Sequence, residues 1–176
     1  ANWFALSSDT NNVLYSVYLG NNNTGWVTGG NNFEGIILKT TDGGENWVPF
    51  STLAFYSLSS VHFVNDSTGW AVGSQGTIIK IRGNSWSNQT SGTTVDLSSV
   101  YFINENTGWV VGGQIYDPGT ILKTTNGGTD WISTTSDTIG KLYSVNFIDE
   151  NIGWAAGQYG TIIKTVNGGT DWSTQS

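Results

Sequence analysis

Four successive stretches of this chain carry one pattern: a Leu-x-Ser-Val run, a Gly-Trp pair, a β-branched run that opens on Gly and closes on Lys, and a turn ending in Trp. The anchors are Leu14, Leu58, Leu97 and Leu142, and the pairs are Gly25-Trp26, Gly69-Trp70, Gly108-Trp109 and Gly153-Trp154. Leu-to-Leu steps are 44, 39 and 45 residues, and roughly forty residues is the length of one propeller blade. A module copied four times is a scaffold first. Function is sought where the copies differ.

Composition agrees with short strands and many tight turns: 24 Gly, two Pro, and abundant Asn, Ser and Thr among 176 residues. Charged residues are only 11% of the chain, so Asn, Gln, Ser and Thr must keep the surface wet. That surface suits an extracellular or periplasmic location. A formal charge of −7 argues against nucleic acid or an anionic membrane as partner, and no apolar run is long enough to insert in a bilayer. Lys39, Lys80, Lys123 and Lys164 share one column of the repeat and are assigned to the blade; only Lys141 and Arg82 fall elsewhere. The absence of cysteine excludes disulfides and thiolate chemistry. With no methionine either, the chain is expected to be a processed product or a piece of something larger.

Alternation places first strands at 14–19, 58–64, 97–103 and 142–148. Polar turns at 21–24, 65–68, 104–107 and 149–152 lead into the Gly-Trp strands, whose Trp is expected to pack between neighbouring blades. Third strands fall at 35–40, 76–81, 119–124 and 160–165. The turn that follows has the spacing Thr-x-Asp/Asn-x-Gly-x-x-Trp in three units: Thr40, Asp42, Gly44, Trp47; Thr124, Asn126, Gly128, Trp131; and Thr165, Asn167, Gly169, Trp172. Asp or Asn accepts backbone N–H groups across the turn, Gly supplies positive φ, and the Trp folds back as a lid expected to carry the blade packing. Unit two has decayed: Lys80 to Trp86 is six residues where Lys39 to Trp47 is eight.

These turns resemble Asp-box (BNR) repeats, and the whole pattern, over essentially the entire chain, resembles the β-propellers of the photosystem II assembly and stability factor family. The resemblance implies a fold and not a chemistry, because sialidases, sortilin-type receptors and xyloglucan-cleaving endoglucanases share the box. It also implies that such propellers close with six to eight blades. The expected architecture is all-β, a β-propeller of four-stranded antiparallel blades: blade 1 over 14–57, blade 2 over 58–96, blade 3 over 97–141 and blade 4 over 142–176. An orphan fourth strand is assigned to 1–13, because Trp3 precedes Leu14 by the same eleven residues that separate each box Trp from the next Leu anchor. Four blades plus a strand leave unmatched ends. Either the chain is part of a larger ring or array, or copies associate through blade edges, or a swapped strand clasps a closed four-bladed monomer.

Titratable groups are few, with one histidine and one arginine. Arg82 stands alone in the decayed turn, so the arginine cluster that the sialidase resemblance implies is missing. His62 has no second His and no acid pair beside it, so no metal is called for, and no cofactor. Glycoside hydrolysis would need two carboxylates from Asp9, Glu34, Asp96, Asp117 and Asp137, which scatter over variable loops. More informative are the loops between second and third strands. Two are minimal (Ser74-Gln75, Gln158-Tyr159) and two expanded (31–34 and 114–118). Phe33, Tyr116 and Tyr159 are not needed by turn geometry; with Glu34, Gln114, Asp117 and Gln158 they make a surface that stacks on a sugar or anchors a peptide. Alternatively Phe33 and Tyr116 plug the channel or pack under their own loops. The leading expectation is a non-catalytic binding module for a protein partner. The rivals are a carbohydrate-binding propeller and a fragment of a xyloglucanase-like glycoside hydrolase.

Overall fold

The computed structural model describes residues 7–31, 33–54 and 56–175. Their strands form four antiparallel sheets in chain order: β1 (Val13–Leu19), β2 (Gly25–Gly30), β3 (Gly35–Thr40) and β4 (Val48–Ala54); β5 (Leu58–Phe63), β6 (Thr68–Gly73), β7 (Ile78–Arg82) and β8 (Ser85–Gln89); β9 (Leu97–Phe102), β10 (Gly108–Gly112), β11 (Pro118–Thr124) and β12 (Ile132–Ile139); β13 (Leu142–Phe147), β14 (Gly153–Gly157), β15 (Ile162–Thr165) and β16 (Ser173–Thr174). Each sheet is a four-stranded meander, and the four are the blades of an all-β propeller. Helix among the described residues is limited to single turns at Ser74–Gly76 and Gln158–Gly160. Trp3 and the start of the assigned orphan strand lie outside the described residues.

The first strands of blades 2 to 4 bury Leu and Val three residues apart, which plain alternation would put on opposite faces. A bulge resolves this: the pairing of β5 with β6 slips between Leu58 and Ser60, so Leu58, Val61 and Phe63 share one buried face. The slip brings the β5 backbone against Gly73, where a Cβ would collide with the Ser57 carbonyl. Gly69 has a parallel role. Its missing side chain lets Phe63 lie flat on the strand, and the preceding blade's Trp26 stacks on that ring at 3.7 Å between centroids.

The same stack recurs at the next two seams, Trp70 on Phe102 at 3.4 Å and Trp109 on Phe147 at 3.5 Å. Trp26, Trp70 and Trp109 are fully buried, each within an apolar cluster that spans two blades. Blade packing is therefore carried by the Gly-Trp indoles. This corrects the expectation placed on the turn Trps, since Trp47, Trp86, Trp131 and Trp172 are only partly buried. Trp131 and Trp172 meet Phe102 and Phe147 edge-on, at the rim of the stacks. A side chain folded over a surface hairpin keeps one face in water, whereas one on a central strand is covered from both sides.

Three seams are packed in this way. On blade 1 the first-strand residues Leu14, Val17 and Leu19 are 39%, 62% and 63% exposed, whereas Val27, Ile36 and Leu38 on its inner strands are buried with Trp47 packed against them. On the forward face of blade 4, Ile162 is 48% exposed where its counterparts Ile37, Ile78 and Ile121 are buried.

Candidate binding face

One rim of the propeller is built by the Thr-x-Asp/Asn turns, and their geometry is structural. Thr40 is buried; its Oγ1 accepts from Gly44 N at 2.9 Å and donates to Asp42 Oδ1 at 2.7 Å. Asp42 in turn accepts from the backbone and side-chain N–H groups of Asn46, and these bonds hold its carboxyl at about 2. In blades 3 and 4 the two residues have exchanged places. Asn126 Nδ2 donates to Asp130 Oδ2, and Asn167 Nδ2 donates to Asp171 Oδ2, each at 2.8 Å. Asn at the box position is thus matched by Asp four residues on, a signal present in the sequence.

The turn has a second task. Gly127 and Gly168 turn their carbonyls toward the preceding blade, where they accept from Trp70 Nε1 at 3.3 Å and Trp109 Nε1 at 3.0 Å. Lys80 Nζ joins at Gly127, 2.7 Å away, and lies 5.0 Å from the Trp70 ring centroid. The other lysines of that column lie over Trp26, Trp109 and Trp154 in the same way. Blade 2, with its shortened Gly83-Asn84 hairpin, offers no such carbonyl, and Trp26 Nε1 is buried without an acceptor among the described residues.

The opposite rim carries the variable loops. The loop after β6, the connection from β8 to β9, the loop after β10 and the start of β13 enclose a cleft of about 560 Å³ crossing blades 2, 3 and 4. Gln75, Asp96, Gln114, Ile115, Lys141 and Tyr143 line it. Asp96 organises the floor: Oδ1 accepts from Gln75 N at 3.1 Å, its carbonyl accepts from Gly113 N at 3.0 Å, and Oδ2 is 4.0 Å from Lys141 Nζ. A second cleft of about 570 Å³, bounded by Gln75, Gln89 and residues 90–94, adjoins it at Gln75. Amides that both donate and accept, one compensated ion pair and an aromatic wall can hold an extended polypeptide. Among the described residues no pair of carboxylates lines this cleft, and of the five acids considered from sequence Asp96 is the one found there.

Of the seven residues assigned to a ligand, Gln114 alone lines the cleft. Gln158 is spent on the scaffold: Oε1 accepts from Lys141 N and its own N–H donates to the Lys141 carbonyl. The Asp117 carbonyl accepts from Gly140 N. The side chain of Asp137 lies outside the described residues. Phe33 is raised on an Asx turn, with Asn31 Oδ1 accepting from the N–H groups of Phe33 and Glu34. Phe33, Tyr116 and Tyr159 are 86%, 78% and 67% exposed, so none plugs the channel or packs under its loop. Tyr116 and Tyr159 have φ of 74° and 57°, a left-handed conformation that costs a bulky residue roughly 1 kcal/mol. Tyr159 sits beside Gly140, next to the cleft, whereas Phe33 stands on blade 1 and lines neither cleft. Sequence reasoning missed Gln75, Ile115 and Tyr143 as neighbours of Asp96 and Lys141. Tyr143 was the available signal, an aromatic in a column that blades 2 and 3 fill with Ser59 and Ser98.

His62 belongs to neither rim. Its ring lies between Tyr18 and Tyr101 of the adjacent blades, at centroid distances of 5.4 and 4.8 Å, and Nδ1 accepts from Phe102 N at 3.4 Å. Burial pushes its pKa down to about 4, so the ring is neutral at pH 7. Among the described residues no group of three or more His, Asp and Glu side chains is placed to hold a metal ion.

Fold and clefts together define a β-propeller with one rim given to blade-stapling turns and the other to variable loops. Solved structures of the same fold include YCF48 bound to D1 peptide, at 20% identity and a TM-score of 0.75 over 99% of this chain and 56% of that one. YCF48 from Cyanidioschyzon merolae matches at 23% identity and a TM-score of 0.73, over 100% of this chain and 60% of the other. The GH74 enzyme of Niastella koreensis matches at 17% identity and a TM-score of 0.75, over 92% of this chain and 30% of the other. The chain thus spans little more than half the length of the YCF48 propellers. No protein-family model matches it, and no curated protein matches its sequence.

Proposed function

We propose that this chain is a non-catalytic β-propeller module whose loop face binds an extended segment of a protein partner. The cleft across blades 2 to 4 carries the reading: Gln75 and Gln114 match the alternating donors and acceptors of a peptide backbone, while Ile115 and Tyr143 offer apolar contact. The rim tyrosines support it, because strained and exposed aromatics gain nothing from burial and suit contact with a ligand. YCF48, similar in fold, has been solved with a peptide bound. The Thr-x-Asp/Asn turns are read as Asp boxes with a structural task, and the location as extracellular or periplasmic.

A carbohydrate ligand is the second reading, favoured by the exposed rings of Phe33, Tyr116 and Tyr159. Selection from a displayed random-peptide library, run beside a glycan array, separates the two. Peptides that bind wild type and lose at least tenfold in affinity to the Gln114→Ala/Tyr143→Ala variant support the first. Glycan binding that disappears with the three loop aromatics supports the second. Release of reducing ends from xyloglucan by the purified chain would overturn both in favour of a glycoside hydrolase.

A further inference from the structure

We propose that the shortened hairpin of blade 2 is an anion site, a cradle for a tetrahedral oxyanion such as phosphate, on the rim opposite the two clefts. Lys80, Arg82, Ser85, Trp86 and Ser87 line a pocket of about 190 Å³ there.

The charge of this hairpin is the reverse of the other three. Each of those carries a carboxylate, Asp42, Asp130 or Asp171, that accepts from an Asn amide of the same turn. Blade 2 has neither acid nor amide partner in those places. Gly83 and Asn84 bridge its two strands, and the residue before its Trp is Ser85, in the column of Asp130 and Asp171. It gains a cation instead, because Arg82 follows the column lysine by two residues, where the other blades have Thr41, Thr125 and Val166. In a chain of net charge −7, two of the six basic side chains thus face one small pocket that no carboxylate lines among the described residues.

Strand pairing puts the four polar side chains on one face. Lys80 pairs with Ser87 and Arg82 with Ser85, while Ile81 between the two cations points the other way and is buried. Lys80 is held in place by the fold: Nζ donates to the Gly127 carbonyl at 2.7 Å and lies over the Trp70 ring, which leaves its other N–H groups for a ligand. Ser87 Oγ accepts from Gln89 Nε2 at 3.2 Å, so its own proton is available. Arg82, Ser85 and Ser87 are exposed. The neighbouring acid is Glu105 of blade 3, whose Oε2 is 3.9 Å from Arg82 and whose Oε1 accepts from Asn65. One carboxylate against two cations leaves a surplus positive charge. Lys80 registers it, since burial and then Arg82 lower its pKa while Glu105 acts the other way. A bound anion relieves that repulsion. A guanidinium, an ammonium and two hydroxyls on two strands can surround more oxygens than a carboxylate presents, which favours a tetrahedral anion.

Isothermal titration calorimetry of the purified chain with inorganic phosphate tests this, at low ionic strength because salt screens a surface site. Saturable binding is expected, weakened roughly tenfold or more by Arg82→Gln. The discriminating variant is Ser85→Asp, which returns to blade 2 the acid of the other turns. Its own charge should occupy the pocket and abolish phosphate binding, with a melting temperature at or above that of wild type. Sulfate should compete with phosphate and acetate should not. Competition by phosphoserine as well would show that the site takes phosphate esters, and its failure that the site takes the free ion. Heats that do not saturate, acetate bound as tightly as phosphate, or Ser85→Asp binding phosphate as wild type does would overturn the proposal.

Discussion

Trp109 donates its indole N–H to the carbonyl of Gly168 across 3.0 Å, from the second strand of one blade to the turn of the next. Trp26 stacks on its neighbour as Trp109 does, but its Nε1 has no acceptor among the described residues. One chain therefore holds the same ring with and without its hydrogen bond.

Trp109→Phe should destabilise more than Trp26→Phe by about 1 kcal/mol, since both lose similar volume and only the first strands a buried carbonyl partner. Urea melts of the two variants measure the difference. Equal losses would assign the seams to stacking alone.

The exchanged pair at Asn126 and Asp130 gives a double-mutant cycle. Asn126→Asp removes the Nδ2 donor and sets two carboxylates face to face, so a loss of about 1 kcal/mol is expected at pH 7. Adding Asp130→Asn restores the order found at Asp42 and Asn46, and most of the melting temperature should return with it.

His62 carries a pH dependence of known sign. Its pKa falls from 6.5 to about 4 on folding, so the unfolded chain binds the extra proton and stability is fully present above pH 6.5. It declines as the pH falls toward 4, by at most about 3 kcal/mol. His62→Tyr, which copies Tyr18 and Tyr101 in its column, should remove this part of the pH profile in denaturant melts between pH 4 and 7.

Tyr116→Asn and Tyr159→Asn should each raise stability by a few tenths to about 1 kcal/mol, because Asn tolerates positive φ and little burial is lost. Thermal melts check this. A clear fall in melting temperature would show that the rings are packed, and the rim would lose its standing as a binding surface.

The blades were legible because the repeat displays them: four Leu anchors, four Gly-Trp pairs and three intact turns count out four meanders with no tertiary information. The cleft was not. Gln75, Asp96, Ile115 and Lys141 come from loops of different blades, and nothing in their spacing marks them as neighbours. Nor does the sequence say which Trp of each unit carries the packing. Trp109 and Trp131 look equally regular along the chain, and only their depth between sheets separates them.

Local rules thus fixed what local rules govern: strand periodicity, Gly at the close approaches, and Thr and Asp/Asn at turns whose hydrogen bonds close within a few residues. The tertiary structure decided what depends on how blades stand side by side. It set the bulge that turns Leu58 and Val61 to one face, the reach of Trp109 to Gly168 and the cleft between loop tips. These join residues from fifteen to about sixty positions apart, and the packing of strands and whole sheets, not the preference of any segment, brings them together.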